Sequence, residues 1–393
     1  MITKFDLATG IEFLGLFNNC TACPAFSECG GAKTAPCGCA WPKLSDYRYK
    51  CSKCNLICCE RQVPGPDGSI YRFENHLAEG RFLENLFVEQ GEKKLFPLYV
   101  PLFTYFSKIK KLPLRWAAAD IATLFNKRKR DKPILKSVFD TEYSAKRYLS
   151  IGNDCDLWAV LNAKDDHLED FWGIGEEERL ETFKHLKKIG FSFGTGATFS
   201  ISDITNLKTP IPQSHNVTML TRHHQVLHEL HTAGLYSVPN IYWRDGEKKD
   251  LRRWANWLID NPQIQSISRD FTSTRNLSTN LSKLNELMEL LEYTGRTFNI
   301  MIVGTGAKTA PKIMQMLARN GHSGTVISSS PIYDAAKCAI RYEIDDEKII
   351  RLKDGDTPRS ELIIHNISVF ENFLSEIVIQ ETGQHNFLRN LMS

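Results

Sequence analysis

The stretch FNIMIVGTGAKTAPKIMQMLARNGHSGTVISSS, residues 298–330, decides the fold. Its first seven residues form a short apolar run closed by a glycine turn, the pattern of a strand. Residues 310–319 are long enough for one helix, and Asn320-Gly321 supplies a stop. GTVISSS (324–330) reads as a second strand. A strand, a glycine turn, a helix and a strand form one unit of a parallel sheet with a crossover helix.

The same alternation extends outward from this unit. Strands are predicted at FPLYVPLF (96–103), ILKSVF (134–139), LWAVLN (157–162), FSFGTGATF (191–199), YSVPNIYW (236–243) and IQSISRDF (264–271), which with 298–304 and 324–330 make eight. Helices are predicted at 176–188, 218–233, 247–259, 279–293 and 310–319, each ending near a Gly, Asn or Pro. Eight such units over residues 96–342 predict an α/β fold, a (β/α)8 TIM-like barrel, whose usual length is roughly 250 residues. An open doubly wound sheet is the alternative.

The whole chain has 393 residues, 42% of them hydrophobic and 24% charged, which excludes a disordered or collagen-like polypeptide. No run of eighteen apolar residues occurs, and Asp6 and Glu12 interrupt the first twenty residues where a signal peptide needs an apolar core. The expectation is a cytoplasmic protein, in a host cytoplasm if phage-encoded, without a membrane span. Lys and Arg (49) nearly balance Asp and Glu (46) at a net charge of +3, so any acidic partner must be met by a local surface.

Such a surface is suggested before the third strand. Residues 105–150 carry twelve Lys or Arg against four acids, including the run Lys127-Arg128-Lys129-Arg130, with Tyr105, Phe106, Trp116 and Phe125 interleaved. Basic residues among stacking aromatics suit a nucleic-acid backbone, and a solvated helix face is the alternative.

Nine of the eleven cysteines (Cys20, Cys23, Cys29, Cys37, Cys39, Cys51, Cys54, Cys58 and Cys59) fall within residues 20–59. In a reducing compartment clustered thiols are metal ligands more often than disulfides. The pairs Cys20-x2-Cys23 and Cys51-x2-Cys54 have the spacing of a zinc ribbon, while the five further thiols leave an iron–sulfur cluster equally open. Residues 1–60 are therefore expected to be a Cys-rich metal-binding module, and 61–95 a helical connector. Residues 343–393, with ISVFENFLSEIVIQ, are expected to be a C-terminal helical extension covering one barrel end.

Barrel enzymes place their chemistry where strands end. Asp165, Asp203 and Asp270 follow predicted strands and are the candidate acid, base or nucleophile; capping a helix is the competing duty of such an Asp. Gly304, Gly306 and Lys308 lie in the turn after the seventh predicted strand, where backbone can approach a substrate phosphate; Gly194 and Gly196, inside or just after the fourth, suit either ligand contact or tight packing at the rim, and Ser328 of the last strand joins the substrate-binding candidates. The GxxxxGK[ST] spacing is missing, which disfavours a nucleotide triphosphatase. His224, His228 and His231 share one helix face, but their order, HELH, is not that of a zinc protease, and packing is the default.

The run IMIVGTGAKTAPKIMQMLARNGHSGTVISSSPIYDAAKCAI (300–340), with VPNIYWRDGEKKDLRRW (238–254), resembles the barrel of the tRNA-guanine transglycosylase superfamily, including relatives that insert deazaguanines into DNA. It is also similar to uncharacterised bacterial and phage barrel proteins, which imply no activity. Two features depart from the transglycosylase pattern. Ser328-Ser329-Ser330 stands where that family's final strand bears a nucleophilic Asp, and the cysteines precede the barrel.

The resemblance implies a pentosyltransferase in which a carboxylate attacks C1′ of a nucleotide, guanine departs and a deazaguanine returns. Asp270 would be the nucleophile and Asp165 the acid or base. DNA is favoured over tRNA as the polymer, because the post-barrel zinc motif of the tRNA enzymes is missing. A metal-containing nucleic-acid-binding barrel without catalysis, and a barrel enzyme for a small phosphorylated substrate, are the competing functions.

Overall fold

The structure is a computed structural model that describes residues 88, 90, 96–103, 109–126, 134–201, 213–243, 248–272 and 276–383. The nine clustered cysteines, most of the 61–95 connector, the Lys127–Arg130 run and Asp203 lie outside the described residues.

Eight strands form one all-parallel sheet: β1 (Tyr99–Phe103), β2 (Trp116–Asp120), β3 (Asp156–Val160), β4 (Phe191–Thr195), β5 (Tyr236–Val238), β6 (Ser266–Asp270), β7 (Asn299–Val303) and β8 (Ser323–Ser328). Their order is β5-β4-β3-β2-β1-β8-β7-β6, so the sheet curls nearly into a barrel whose remaining seam lies between β5 and β6. Among the described residues that seam carries one bridge, Asn240 with Ser268. Two backbone bonds of 2.8 Å form it, Ile241 N to Ser268 O and Ser268 N to Pro239 O.

The helices are α1 (Ile121–Leu124), α2 (Glu142–Leu149), α3 (Asp165–Trp172), α4 (Glu176–Lys188), α5 (Gln213–Thr232), α6 (Lys248–Asp260), α7 (Leu277–Thr294), α8 (Ala310–Arg319), α9 (Ser330–Cys338) and α10 (Arg359–Thr382). Their ends follow local chemistry. The Asn276 side chain accepts from Ser278 N to start α7, and Gly295, at φ +63°, ends it in the left-handed region.

Alternate strand residues separate into two cores, as a closed sheet requires. Val100, Ala118, Trp158, Val160, Phe193, Tyr236, Val238, Met301, Val303 and Ile327 form a cluster of their own, the filled barrel interior. Trp158 stacks on Phe193 at 4.3 Å, and Phe96 meets both rings edge-on. The intervening residues, among them Tyr99, Ala117, Leu157, Ile267 and Ile302, join the larger cluster shared with the helices.

One predicted strand is corrected. Residues 134–139 are not β2: Leu135 makes a lone antiparallel bridge to Phe125, and Ser137–Phe139 is a 3-10 turn. The second strand is WAAAD, 116–120, whose three alanines are unusual strand residues. Ala118 sits in register between Leu102 and Trp158, so a small side chain there leaves room for the indole within the barrel.

The chain after the barrel also differs from an all-helical extension. An antiparallel hairpin, β9 (Ile340–Asp345) with β10 (Lys348–Lys353), precedes α10. Tyr342 and Arg351 clamp this hairpin to α9 through the Asp334 carboxylate, at 2.7 and 2.5 Å. α10 packs against the barrel's side, not its end: Phe370 meets Tyr99 of β1 edge-on at 5.0 Å, and Glu381 is paired with Arg319 of α8. α10 is long and apolar enough to cross a membrane, yet Leu362, Ile363, Ile367, Phe370, Phe373 and Leu374 are buried in the fold.

Candidate active site at the carboxyl-terminal mouth

All eight strands are parallel, so their last residues share one rim, and β2, β4, β6 and β8 end there in the polar residues Asp120, Thr195, Asp270 and Ser328. Asp270 closes β6. One carboxylate oxygen accepts from the Asn162 side-chain amide, Nδ2 to Oδ2 at 2.6 Å, and the other from Thr272 N at 2.6 Å. Asn162 follows β3, so this bond spans the mouth between strands that are not sheet neighbours.

The orientation of Asn162 is dictated by its other contacts. Its Oδ1 accepts from Asn240 Nδ2 at 3.0 Å and from Thr195 Oγ1 at 3.5 Å, so its Nδ2 must face Asp270. Asn240 is fixed in turn. Its amide donates to Gly196 O as well as to Asn162, and its oxygen accepts from Ser268 Oγ. Ser268, Asn240 and Asn162 therefore make a directed chain of donors that ends on Asp270. Asn162, Thr195, Asn240 and Ser268 are all buried, whereas Asp270 is half-buried at the opening. In that setting the hydrogen bonds are strong and mutually reinforcing.

The structure gives the other sequence candidates distinct places. Asp165 begins α3, three residues beyond Asn162 and on the same rim. Gly194 lies in β4 with Leu230 of α5 against it. Gly196 is pressed by the His223 ring, which leaves no space for a Cβ. Gly304, at φ +84°, follows β7 and packs on Thr272, next to Asp270. Gly306 faces Ser330 Oγ, so the turns after β7 and β8 touch. Ser328 is buried: its Oγ accepts from Ser330 N at 3.2 Å, and its carbonyl accepts from Tyr99 Oη at 2.8 Å. Lys308 is exposed two residues ahead of α8.

Asn162, Asn240, Thr195 and Ser268 were not singled out from sequence. Neutral amides and hydroxyls at such separations carry no motif; the only signal was their position just inside or after predicted strands.

Behind the mouth, α5 carries a second polar layer. His223 Nδ1 bonds Ala197 O at 2.7 Å and His224 Nδ1 bonds Leu220 O at 2.8 Å, with both rings fully buried. His224 stacks on Trp254. Burial, assisted by nearby Arg253, lowers the His223 pKa to about 4; burial and its neighbour His223 place His224 well below the ordinary range. On the helix's other side Glu229 receives a bidentate pair from Arg179, at 2.8 and 2.5 Å, and the Arg179 guanidinium lies over Trp172 at 4.1 Å. Among the described residues no group of three or more His, Cys, Asp or Glu is arranged to hold a metal ion.

Comparison with protein-family models gives no match for this chain, and neither does comparison with curated proteins.

Proposed function

We propose that the chain is a nucleic-acid base-exchange enzyme of the guanine/deazaguanine transglycosylase kind, acting on DNA in the cytoplasm, with Asp270 as its nucleophile. The observation that carries this reading is a half-buried carboxylate at the end of β6, held by a donor on each oxygen. Asp270 attacks C1′ of a nucleotide, forming a C1′–O bond as the C1′–N9 bond breaks. The electron pair leaves on guanine N9, which takes up a proton from Asp165. An incoming deazaguanine returns its N9 proton to Asp165 and attacks C1′, releasing the Asp270 carboxylate.

The target base must leave its stack to reach this mouth. In this reading Lys127, Arg128, Lys129 and Arg130 hold the polymer backbone. The cysteine module, with zinc or an iron–sulfur cluster, is a further support for the strand. The turn Gly304–Lys308 and the adjoining Ser328–Ser330 receive the target nucleotide's phosphate.

Exchange of labelled guanine into DNA and tRNA tests the proposal. Wild-type chain incorporates label into DNA, and Asp270→Asn lowers the rate by on the order of 1,000-fold or more. Unchanged exchange in Asp270→Asn removes Asp270 from the role; salt-dependent DNA binding without exchange replaces the reading by a non-catalytic binding protein.

A second reading, an enzyme for a small phosphorylated substrate, draws on one observation. Thr305 Oγ1 is buried between Gly304 and Gly306 without a hydrogen-bond partner among the described residues, beside two helix starts that have no side-chain cap. Affinity for inorganic phosphate with none for DNA would favour it.

A further inference from the structure

The barrel's incomplete seam is closed at its lower end by a side chain from outside the barrel. Gln90, 4% exposed, inserts its amide between β5 and β6. Nε2 donates to Ser237 O of β5 at 2.9 Å and to Ser266 O of β6 at 2.7 Å. Oε1 accepts from Gln265 N and Ser266 N, each at 2.7 Å. Both donors and both lone pairs are used, which fixes the amide's orientation and makes it a substitute rung where the backbone ladder fails. Tyr236 Oη, Ser266 Oγ and Asn299 extend this polar floor. The strap is tethered again by Gln263, whose amide donates to Val88 O at 3.1 Å.

The two strands joined here are the strands that build the mouth. The seam's upper rung is Asn240 with Ser268, whose side chains form the far end of the donor chain on Asp270. Two residues beyond Ser268 stands Asp270 itself. We infer that Gln90 is a positioning residue: it sets the spacing of β5 and β6 and, through the upper rung, the alignment of Asn240, Asn162 and Asp270. The consequence for catalysis rests on the Asp270 reading above; the mechanical coupling does not.

Amide hydrogen exchange in the full chain tests the coupling without an activity assay. Gln90→Met keeps the length and removes all five bonds of the amide, the 3.4 Å bond from Tyr236 Oη included. The expected result is faster exchange, on the order of 100-fold, at Gln265 and Ser266 and also at Ser268, Ile241 and Thr272, with Ala118 in β2 unchanged. Gln263→Ala, which loosens the strap but leaves the Gln90 amide in place, gives the same pattern at smaller amplitude and serves if Gln90→Met does not fold. Acceleration confined to Gln265 and Ser266 overturns the coupling, since the mouth then ignores the strap. A uniform rise that includes Ala118 also overturns it, because Gln90 is then a general stabiliser. If the amides respond as expected while guanine exchange is never seen, the positioning role stands and the base-exchange proposal falls.

Discussion

Acidification from pH 7 to pH 5 acts on the buried His223 and the half-buried Glu371 in opposite directions, and separating them tests the packing of α5 and α10. His223 has an ordinary pKa of 6.5 and a folded value lowered to about 4 by burial. The unfolded chain therefore binds more protons between these values, and stability is lost as pH falls through 6.5 toward 4. Linkage puts that loss at about 2 kcal/mol between pH 7 and pH 5. Glu371 of α10 works the other way. Burial raises its carboxyl from 4.5 to about 7, so the folded chain takes up the proton first and gains about 2 kcal/mol over the same interval.

His224, also lowered by burial, adds to the loss from His223, so wild type should lose stability from pH 7 to pH 5. His223→Asn keeps an amide donor for Ala197 O and removes that titration, so its loss should be smaller than that of wild type by about 2 kcal/mol; Glu371→Gln lacks the opposing gain, so its loss should be larger by about 2 kcal/mol. Urea unfolding at pH 7, 6 and 5 reads these slopes by tryptophan fluorescence, because six of the seven tryptophans lie between residues 116 and 257. Offsets between variants do not matter, only slopes. If wild type, His223→Asn and Glu371→Gln run parallel, the two groups do not titrate as buried residues and the packing of α5 and α10 described above is wrong.

Three further outcomes are expected. Gly304→Ala places a side chain at φ +84° against Thr272 and should cost about 2 kcal/mol in urea unfolding, part of it recovered by Thr272→Ser, which removes the obstructing methyl. Glu229→Ala leaves Arg179 buried and unpaired, and should lower stability by about 3–5 kcal/mol, measured as a shift of the urea midpoint at constant slope. Anaerobically purified chain should contain zinc without colour or iron and sulfide with visible absorption, and Cys20→Ser with Cys23→Ser should reduce the metal per chain in elemental analysis.

The barrel was legible because seven of its strands are apolar runs closed by turn residues, and because 176–188 and 310–319 carry helix patterns bounded by their own stop signals. β2 was not legible for a reason located outside itself. Alanine is a poor strand former, and the three in WAAAD make sense only once Trp158 is known to lie in register with Ala118. The rule that found seven strands therefore preferred ILKSVF, whose β-branched and aromatic residues serve a bridge and a turn.

The site divides along the same line. Asp270 could be named in advance because an acid at a strand's end is conspicuous against an apolar run. The groups that orient it are Asn162, Asn240, Ser268 and, from below, Gln90, which lie 72, 78 and 28 residues apart in the order 90, 162, 240, 268. Curling the sheet is what brings them together: β3 and β6 face one another across the mouth, and the unfinished seam needs a donor and an acceptor from elsewhere. A neutral amide can supply both at once, which a charged side chain cannot, and it can do so buried without a counter-ion. The residues best suited to align a carboxylate inside this barrel are thus those with the weakest sequence signal.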